Sequence, residues 1–452
     1  MLVFLYCSTQ IFTRHSIICV IDTIMTGNPI FEIKEHKVET CHVREYAGST
    51  INQEEVLHLH VKQYTPLANF NAPPIAEDAV TIVATHGQGY QRELYEPLWD
   101  DLYEQLKERG VAIRGIWVAD AAGLGLSGLI GEGKLSNDYS WMDHPRDLLL
   151  MINQFRKEMP RPIVGIGHSF GGCQITNLAY LHPRLFTTLI LMDPVIQLSP
   201  PPMGFGTDTL GGVNYTTYRQ DIWPNRKAAA ESQAKASKNW DPRVLNKMIE
   251  YGYRDLPTTL YPDLPPDADP VDPPVTLTTN KYQDAFVQLR ENFSARQPDG
   301  RININRTTHA DINPLAAFVP LYRPEPRSTF YRLPSLRPSS LWLVGEKTYL
   351  RLDEMREGIK VTGTGVGGSG GIPDGWVKEV VMNKQGHLFP FEATSQTAKK
   401  CAEWLAVELK TFRETEKKWR ESRKDMSVQD HMVPSQKWLE VVKRPSRQKN
   451  KL

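Results

Sequence analysis

The stretch Ile163-Val164-Gly165-Ile166-Gly167-His168-Ser169-Phe170-Gly171-Gly172 constrains this chain more than any other. An apolar run closes in Gly-His-Ser-Phe-Gly, and the segment Cys173 to Leu181 that follows is compatible with a helix. Such a sequence predicts a strand, a very tight turn and a helix, with Ser169 at the tip of the turn. The turn strains its central residue, so the positions two before and two after it must lack a Cβ. Here they are Gly167 and Gly171. This is the G-x-S-x-G pattern of a serine nucleophile, and the flanking strand and helix carry more weight than the five residues alone.

The remaining chain repeats the same alternation. Val80 to Ala84 reads as a buried strand ending in Thr85-His86-Gly87-Gln88-Gly89, and Leu94 to Arg109 as a helix with apolar positions at Leu94, Leu98, Leu102 and Leu106. Val111 to Ala119 is a second buried strand, Trp141 to Phe155 a helix, and Leu185 to Met192 a strand closed by Asp193-Pro194. Strand and helix at this cadence predict βαβ crossovers and a parallel sheet. Ahead of them, Val38 to Tyr46 and Val56 to Tyr64 alternate with period two and predict an antiparallel pair.

From about Pro200 the composition turns to Pro, Tyr and Asp, with helices expected near Pro224 to Lys235, Asp241 to Tyr251 and Tyr282 to Asn292. The buried-strand pattern resumes at Ser340 to Val344 and Trp376 to Val381, and a long helix is expected from Ala393 to about Arg423. The division expected is an N-terminal extension over 1–37, poorly ordered; a first part of the core over 38–199; an inserted cap or lid over 200–338; a second part of the core over 339–410; and a basic helix and tail over 411–452. Met25 precedes Thr26-Gly27-Asn28-Pro29 and is a plausible alternative start, so residues 1–24 are expected to add little to the fold, with a weak anchor as the competing reading.

Lys+Arg number 53 against 52 Asp+Glu, a balance that argues neither for nucleic acid nor for a membrane surface as partner, and no nucleic-acid partner is expected. No apolar run approaches the ~20 residues of a transmembrane span. The five cysteines, Cys7, Cys19, Cys41, Cys173 and Cys401, are scattered without a C-x-x-C, so no metal site is expected. The Gly-rich stretch Thr364 to Pro373 lacks the Gly-Lys-Ser/Thr ending of a phosphate-cradling loop, and no cofactor is expected.

A serine hydroxyl needs a base to take its proton, and the base needs a carboxylate to fix its tautomer. His387, after Gly386 in the loop between the final strand and the last helix, is the expected base. Two acids compete. Asp193 lies one helix and one strand beyond Ser169, at the C-terminal edge of the neighbouring strand. Glu346 follows the strand at 341–344, where Thr348 occupies a place in which aspartate is frequent. Asp193 is favoured over Glu346, with Asp353 third. The oxyanion donors expected are the backbone N–H groups of Phe170, after the nucleophile, and of Gln88 in the 86–89 loop.

With these elements in place, residues 38 to about 410 resemble the α/β-hydrolase superfamily. Trp141-Met-Asp-His-Pro-Arg-Asp147, Gly-His-Ser-Phe-Gly-Gly, Leu191-Met-Asp-Pro-Val195 and Gly386-His-Leu-Phe389 resemble a fungal branch that includes the yeast peroxisomal lipase and the Alternaria host-selective toxin biosynthesis hydrolases. The resemblance implies a mostly parallel eight-stranded sheet flanked by helices with an inserted helical cap, and an acid at Asp193. It also implies a peroxisomal address. The ending Asn450-Lys451-Leu452 is similar to Ser-Lys-Leu but departs at its first residue, so peroxisome, with its import receptor as a partner, stands against cytoplasm.

The function expected is a serine hydrolase of an acyl ester or thioester (lipase, esterase or thioesterase-like), in fungal toxin or secondary-metabolite biosynthesis. The alternatives are an acyltransferase in secondary metabolism and a catalytically silent ligand-binding member of the fold.

Overall fold

The computed structural model describes residues 29–71, 75–200, 209–266, 268–293, 297–301, 303–312 and 320–445. The expectations for residues 1–24 and for Asn450-Lys451-Leu452 lie outside them.

Strands covered on both faces read as runs of apolar and β-branched residues with little polar alternation. The central strands β3 (Val80–Thr85), β5 (Ile163–His168) and β6 (Thr188–Met192) are such runs, buried at every position. They form the centre of an eight-stranded sheet with β1 (Phe31–Glu39), β2 (His58–Pro66), β4 (Ile113–Ala119), β7 (Ser339–Gly345) and β8 (Val377–Met382), in the order β1-β2-β4-β3-β5-β6-β7-β8. From β4 to β8 all neighbours are parallel. Only β2 runs against the rest, antiparallel to both β1 and β4.

Helices pack on both faces. On one, α1 (Glu96–Lys107) packs with the long α6 (Thr394–Glu421), and Leu98, Leu102 and Leu106 meet a cluster that includes Ala398, Cys401, Leu405 and Leu409. On the other, Leu148 and Met151 of α2 (Asp143–Gln154) join Cys173, Ile175 and Leu178 of α3 (Phe170–Leu181). At roughly 1.5–3 kcal/mol for each large apolar side chain buried, these two layers hold the sheet and fix the C-terminal edges of its strands.

The N-terminal expectation needs correction. Residues 31–37 belong to the sheet, because β1 pairs with β2 from Phe31↔Pro66 to Glu39↔His58. The charges of Glu32, Lys34, Glu35 and Lys37 suit an edge strand, and Lys34, Glu35 and Lys37 are exposed. Conversely, the strand expected over 38–46 stops at Glu39. Residues 41–46 are held by side chains instead: Cys41 N–H donates to Asp147 Oδ1 at 2.8 Å, and the buried Arg44 guanidinium pairs with Asp147 and Asp143.

The segment joining β6 to β7 holds α4 (Gly212–Tyr218), α5 (Lys281–Gln288), further helices at Arg226–Ala236, Pro242–Tyr251 and Glu325–Arg332, and two small antiparallel sheets. Trp141 Nε1 donates to the Val287 carbonyl at 2.7 Å, and the buried Arg323 donates to the Tyr139 carbonyl, so this segment is fastened to the loop ahead of α2. Beyond α6 a short helix, Gln436–Val441, is fully exposed. Among the described residues no helix is long and apolar enough to cross a membrane.

Candidate active site

Ser169 stands between β5 and α3 with φ 57° and ψ −121°, a conformation that a residue with a Cβ adopts only when its surroundings impose it. The glycines around it have steric reasons. A Cβ on Gly167 would lie 2.6 Å from the Gly171 carbonyl oxygen, and one on Gly171 would lie 2.5 Å from that of Thr85. Strand, turn and neighbouring loop are thus packed backbone against backbone, and the turn is pinned further by Ser169 N–H donating to the Met192 carbonyl at 2.9 Å.

The structure brings Ser169, His387 and Asp193 together from three places in the chain. His387 Nε2 lies 2.8 Å from Ser169 Oγ, and His387 Nδ1 lies 2.6 Å from Asp193 Oδ2. Asp193 is fully buried, and Ser169 and His387 are each 7% exposed. A carboxylate on Nδ1 fixes the tautomer with the proton there, which leaves the Nε2 lone pair facing the serine hydroxyl. Asp193 is itself held: its N–H donates to the Leu343 carbonyl, and its Oδ1 accepts from Gly345 N–H at 3.0 Å.

The competing acids lie elsewhere. Glu346 is exposed and accepts from the N–H of Lys384, away from the imidazole. Asp353 is exposed and pairs with Arg351. Thr348, in the place where aspartate is frequent, donates its hydroxyl to Asp193 Oδ2.

The 86–89 loop closes over Ser169 from β3. His86 Nδ1 faces the Gly87 carbonyl at 2.9 Å while its Nε2 accepts from Ala121 N–H, so it fixes the loop. His168 joins two parts of the site. Gly87 N–H donates to the Tyr95 hydroxyl at 2.7 Å, Tyr95 donates to His168 Nδ1 at 2.6 Å, and His168 Nε2 donates to the main-chain carbonyl of His387 at 3.0 Å. Burial pushes the His168 imidazole well below its ordinary pKa, so it stays neutral and keeps one donor and one acceptor. This chain of hydrogen bonds ties the loop before Ser169 to the loop that carries His387. In these contacts His86 and His168 both act as loop-fixing groups.

Gln88 and Phe170 line the same cavity as Ser169 and His387. Its volume is about 330 Å³. Trp141, Val195, Leu289, Tyr349 and Leu350 give it an apolar wall, and Gln197, Gln288 and Arg219 add polar groups. Trp141 meets Phe170 edge-on at 4.7 Å, and Tyr349 meets His387 at 4.6 Å. Among the residues missed by sequence reasoning, Arg219, Asp284, Gln288 and Leu289 come from the segment joining β6 to β7. Asp284 of α5 accepts from the Gln88 side chain, and its only advance signal is an acid one turn before the buried Val287 of an amphipathic helix.

Comparison with known proteins adds three findings. The profile of the alpha/beta hydrolase family matches residues 82–403. The type I acyl-CoA thioesterase mpaH′ of Penicillium brevicompactum is 54% identical over 421 residues, 91% of this chain and 95% of its own, and the abhydrolase domain-containing protein ACTT2-1 of Alternaria alternata is 30% identical over 254 residues, 55% of this chain and 84% of its own. Among solved structures, the peroxisomal alpha-beta-hydrolase Lpx1 of Saccharomyces cerevisiae superposes with a TM-score of 0.63 at 16% identity, covering 85% of this chain and 91% of its own.

Proposed function

The chain belongs to the α/β hydrolase family, and on that premise we propose that it is a serine-dependent acyl-CoA thioesterase of secondary metabolism. The observation that carries the reading is the hydrogen-bonded series Asp193–His387–Ser169 at the wall of an apolar cavity. The preference for a thioester is supported by the Penicillium relative, named as a type I acyl-CoA thioesterase, which aligns over nearly the whole of both chains.

In this reading His387 Nε2 takes the Ser169 proton as Oγ attacks the thioester carbonyl. The N–H groups of Gln88 and Phe170 stabilise the oxyanion. Collapse of the tetrahedral intermediate breaks the C–S bond, and His387 returns the proton to the departing CoA thiol. A water then gives its proton to His387 and attacks the acyl-serine, and collapse of the second tetrahedral intermediate frees the acid as His387 returns that proton to Ser169 Oγ. Asp193 keeps the imidazole in one tautomer and balances the imidazolium charge at each step. The cavity stands near the lower end of the ~300–1,000 Å³ typical of ligand pockets. In this reading the cavity beside Ser169 takes the acyl group of the thioester.

A panel of acyl-CoA substrates tests the reading. Free CoA thiol and free acid are expected in equal amounts, unchanged when an alcohol acceptor is added. Formation of an acyl-alcohol in place of the acid would support acyl transfer, and no turnover of any thioester or ester would support a silent binder.

We also propose a peroxisomal location, on the ending Asn450-Lys451-Leu452. A fluorescent tag placed before Asn450 is expected to give puncta that coincide with a peroxisomal marker, and a tag after Leu452 a diffuse signal. Diffuse fluorescence from both would favour the cytoplasm.

A further inference from the structure

Asp284 is 2% exposed, on the face of α5 that meets the 86–89 loop. The Gln88 carboxamide spends both of its hydrogens on this one residue: Nε2 donates to Asp284 Oδ1 at 2.8 Å and to the Asp284 main-chain carbonyl at 2.9 Å. The other carboxylate oxygen accepts from Arg219 Nη2 at 3.0 Å, just past the end of α4. The approach is close enough to restrict the loop. Gly89 has φ +76°, and a Cβ there would stand 2.9 Å from Asp284 Oδ2. From below, the same loop is held by Gly87 N–H on the Tyr95 hydroxyl. Gln88 is therefore clamped between the core beneath and the inserted segment above.

We propose that Asp284 is a positioning residue that seats the inserted segment on the 86–89 loop and, by holding the Gln88 side chain, aims the Gln88 N–H at the oxyanion. This rests on the reading of Ser169 as nucleophile and of Gln88 as an oxyanion donor. A buried carboxylate is a costly way to pack a helix. Burial pushes the Asp284 carboxyl up, and the Arg219 guanidinium pulls it back down. An apolar residue at this place would pack α5 as well as Val287 does, yet would leave both Gln88 hydrogens with a single acceptor. Because the acid belongs to the insertion and its partner to the core, the donor is complete only while the two are seated together. A misplaced donor loses rate and little ground-state affinity, since the oxyanion exists only beyond the substrate.

The test compares D284A, D284N and Q88A with the native full chain, first by the rate of labelling with a fluorophosphonate and then by kcat and KM for an acyl-CoA that the native chain turns over. D284A is expected to lower kcat and the labelling rate by about 10- to 100-fold, with KM within about threefold. D284N keeps an oxygen for Gln88 and is expected to recover most of that loss. The double variant Q88A/D284A is expected to be no slower than the slower single variant, as for two residues acting through one contact. A D284A variant with native kcat, a loss expressed in KM alone, a D284N variant as slow as D284A, or losses that multiply in the double variant would overturn the proposal. A native chain inert to both fluorophosphonate and thioester would instead overturn the reading of Ser169 on which the proposal rests.

Discussion

Replacing Ser169 by alanine is expected to lower kcat for thioester hydrolysis by about 10⁶-fold, with the fold intact. The size follows from what is removed. Ser169 Oγ is the oxygen that His387 Nε2 faces at 2.8 Å, and no second hydroxyl is found within hydrogen-bond distance of that nitrogen among the described residues. The fold survives because the turn is held by the backbone. The N–H of residue 169 still reaches the Met192 carbonyl, and the close approaches of Gly167 and Gly171 do not involve the side chain. In the proposed mechanism any residual rate comes from the N–H groups of Gln88 and Phe170 acting on attacking water. Steady-state assay of free CoA checks the prediction, and thermal unfolding of the variant within a few degrees of the native chain separates lost chemistry from lost fold.

The second large effect distinguishes the acids. D193N is expected to lower kcat about 10⁴-fold near neutral pH, because an amide NH₂ facing His387 Nδ1 favours the tautomer whose Nε2 carries the proton and cannot accept one from serine. The Asn oxygen can still accept from Gly345 N–H, so the local backbone keeps its anchor. E346Q is expected to leave kcat within about twofold, since this exposed side chain meets the Lys384 N–H and not the imidazole. A large loss in E346Q with near-native D193N would reverse the assignment. Measuring both variants across pH also tests the tautomer argument, because a wrong-tautomer defect acts on kcat and not on thioester binding.

Much of the central sheet and the nucleophile turn was legible because each is a local pattern. Five residues specify the elbow, and uninterrupted apolar runs specify β3, β5 and β6. The pairing of Asp193 with His387 was reachable by counting one helix and one strand on from Ser169, and the contest with Glu346 could not be closed that way. Both acids sit at C-terminal strand edges, and only side-chain direction separates them. Thr348 shows why the usual place is empty of a carboxylate: its hydroxyl serves the carboxylate that arrives from the other strand.

What stayed hidden depends on contacts far apart in sequence. β1 was masked by its charges, which suit a solvent-facing edge, and the expected strand beyond Glu39 was an alternation produced by Arg44 and Cys41 reaching Asp147, more than 100 residues away. The clamp on Gln88 joins residues 196 positions apart across the boundary between core and insertion. No window of sequence holds both halves of such a pair. An acid on the apolar side of α5 is the one local trace it leaves.

The central claim, that Ser169 is the nucleophile of an acyl-transfer hydrolase, is tested most directly by locating the adduct of a fluorophosphonate probe by peptide mass spectrometry. The expected result is a single adduct on Ser169 in the native chain, formed much more slowly in H387A and absent from S169A. An adduct on another residue, or labelling of S169A at the native rate, would contradict the account.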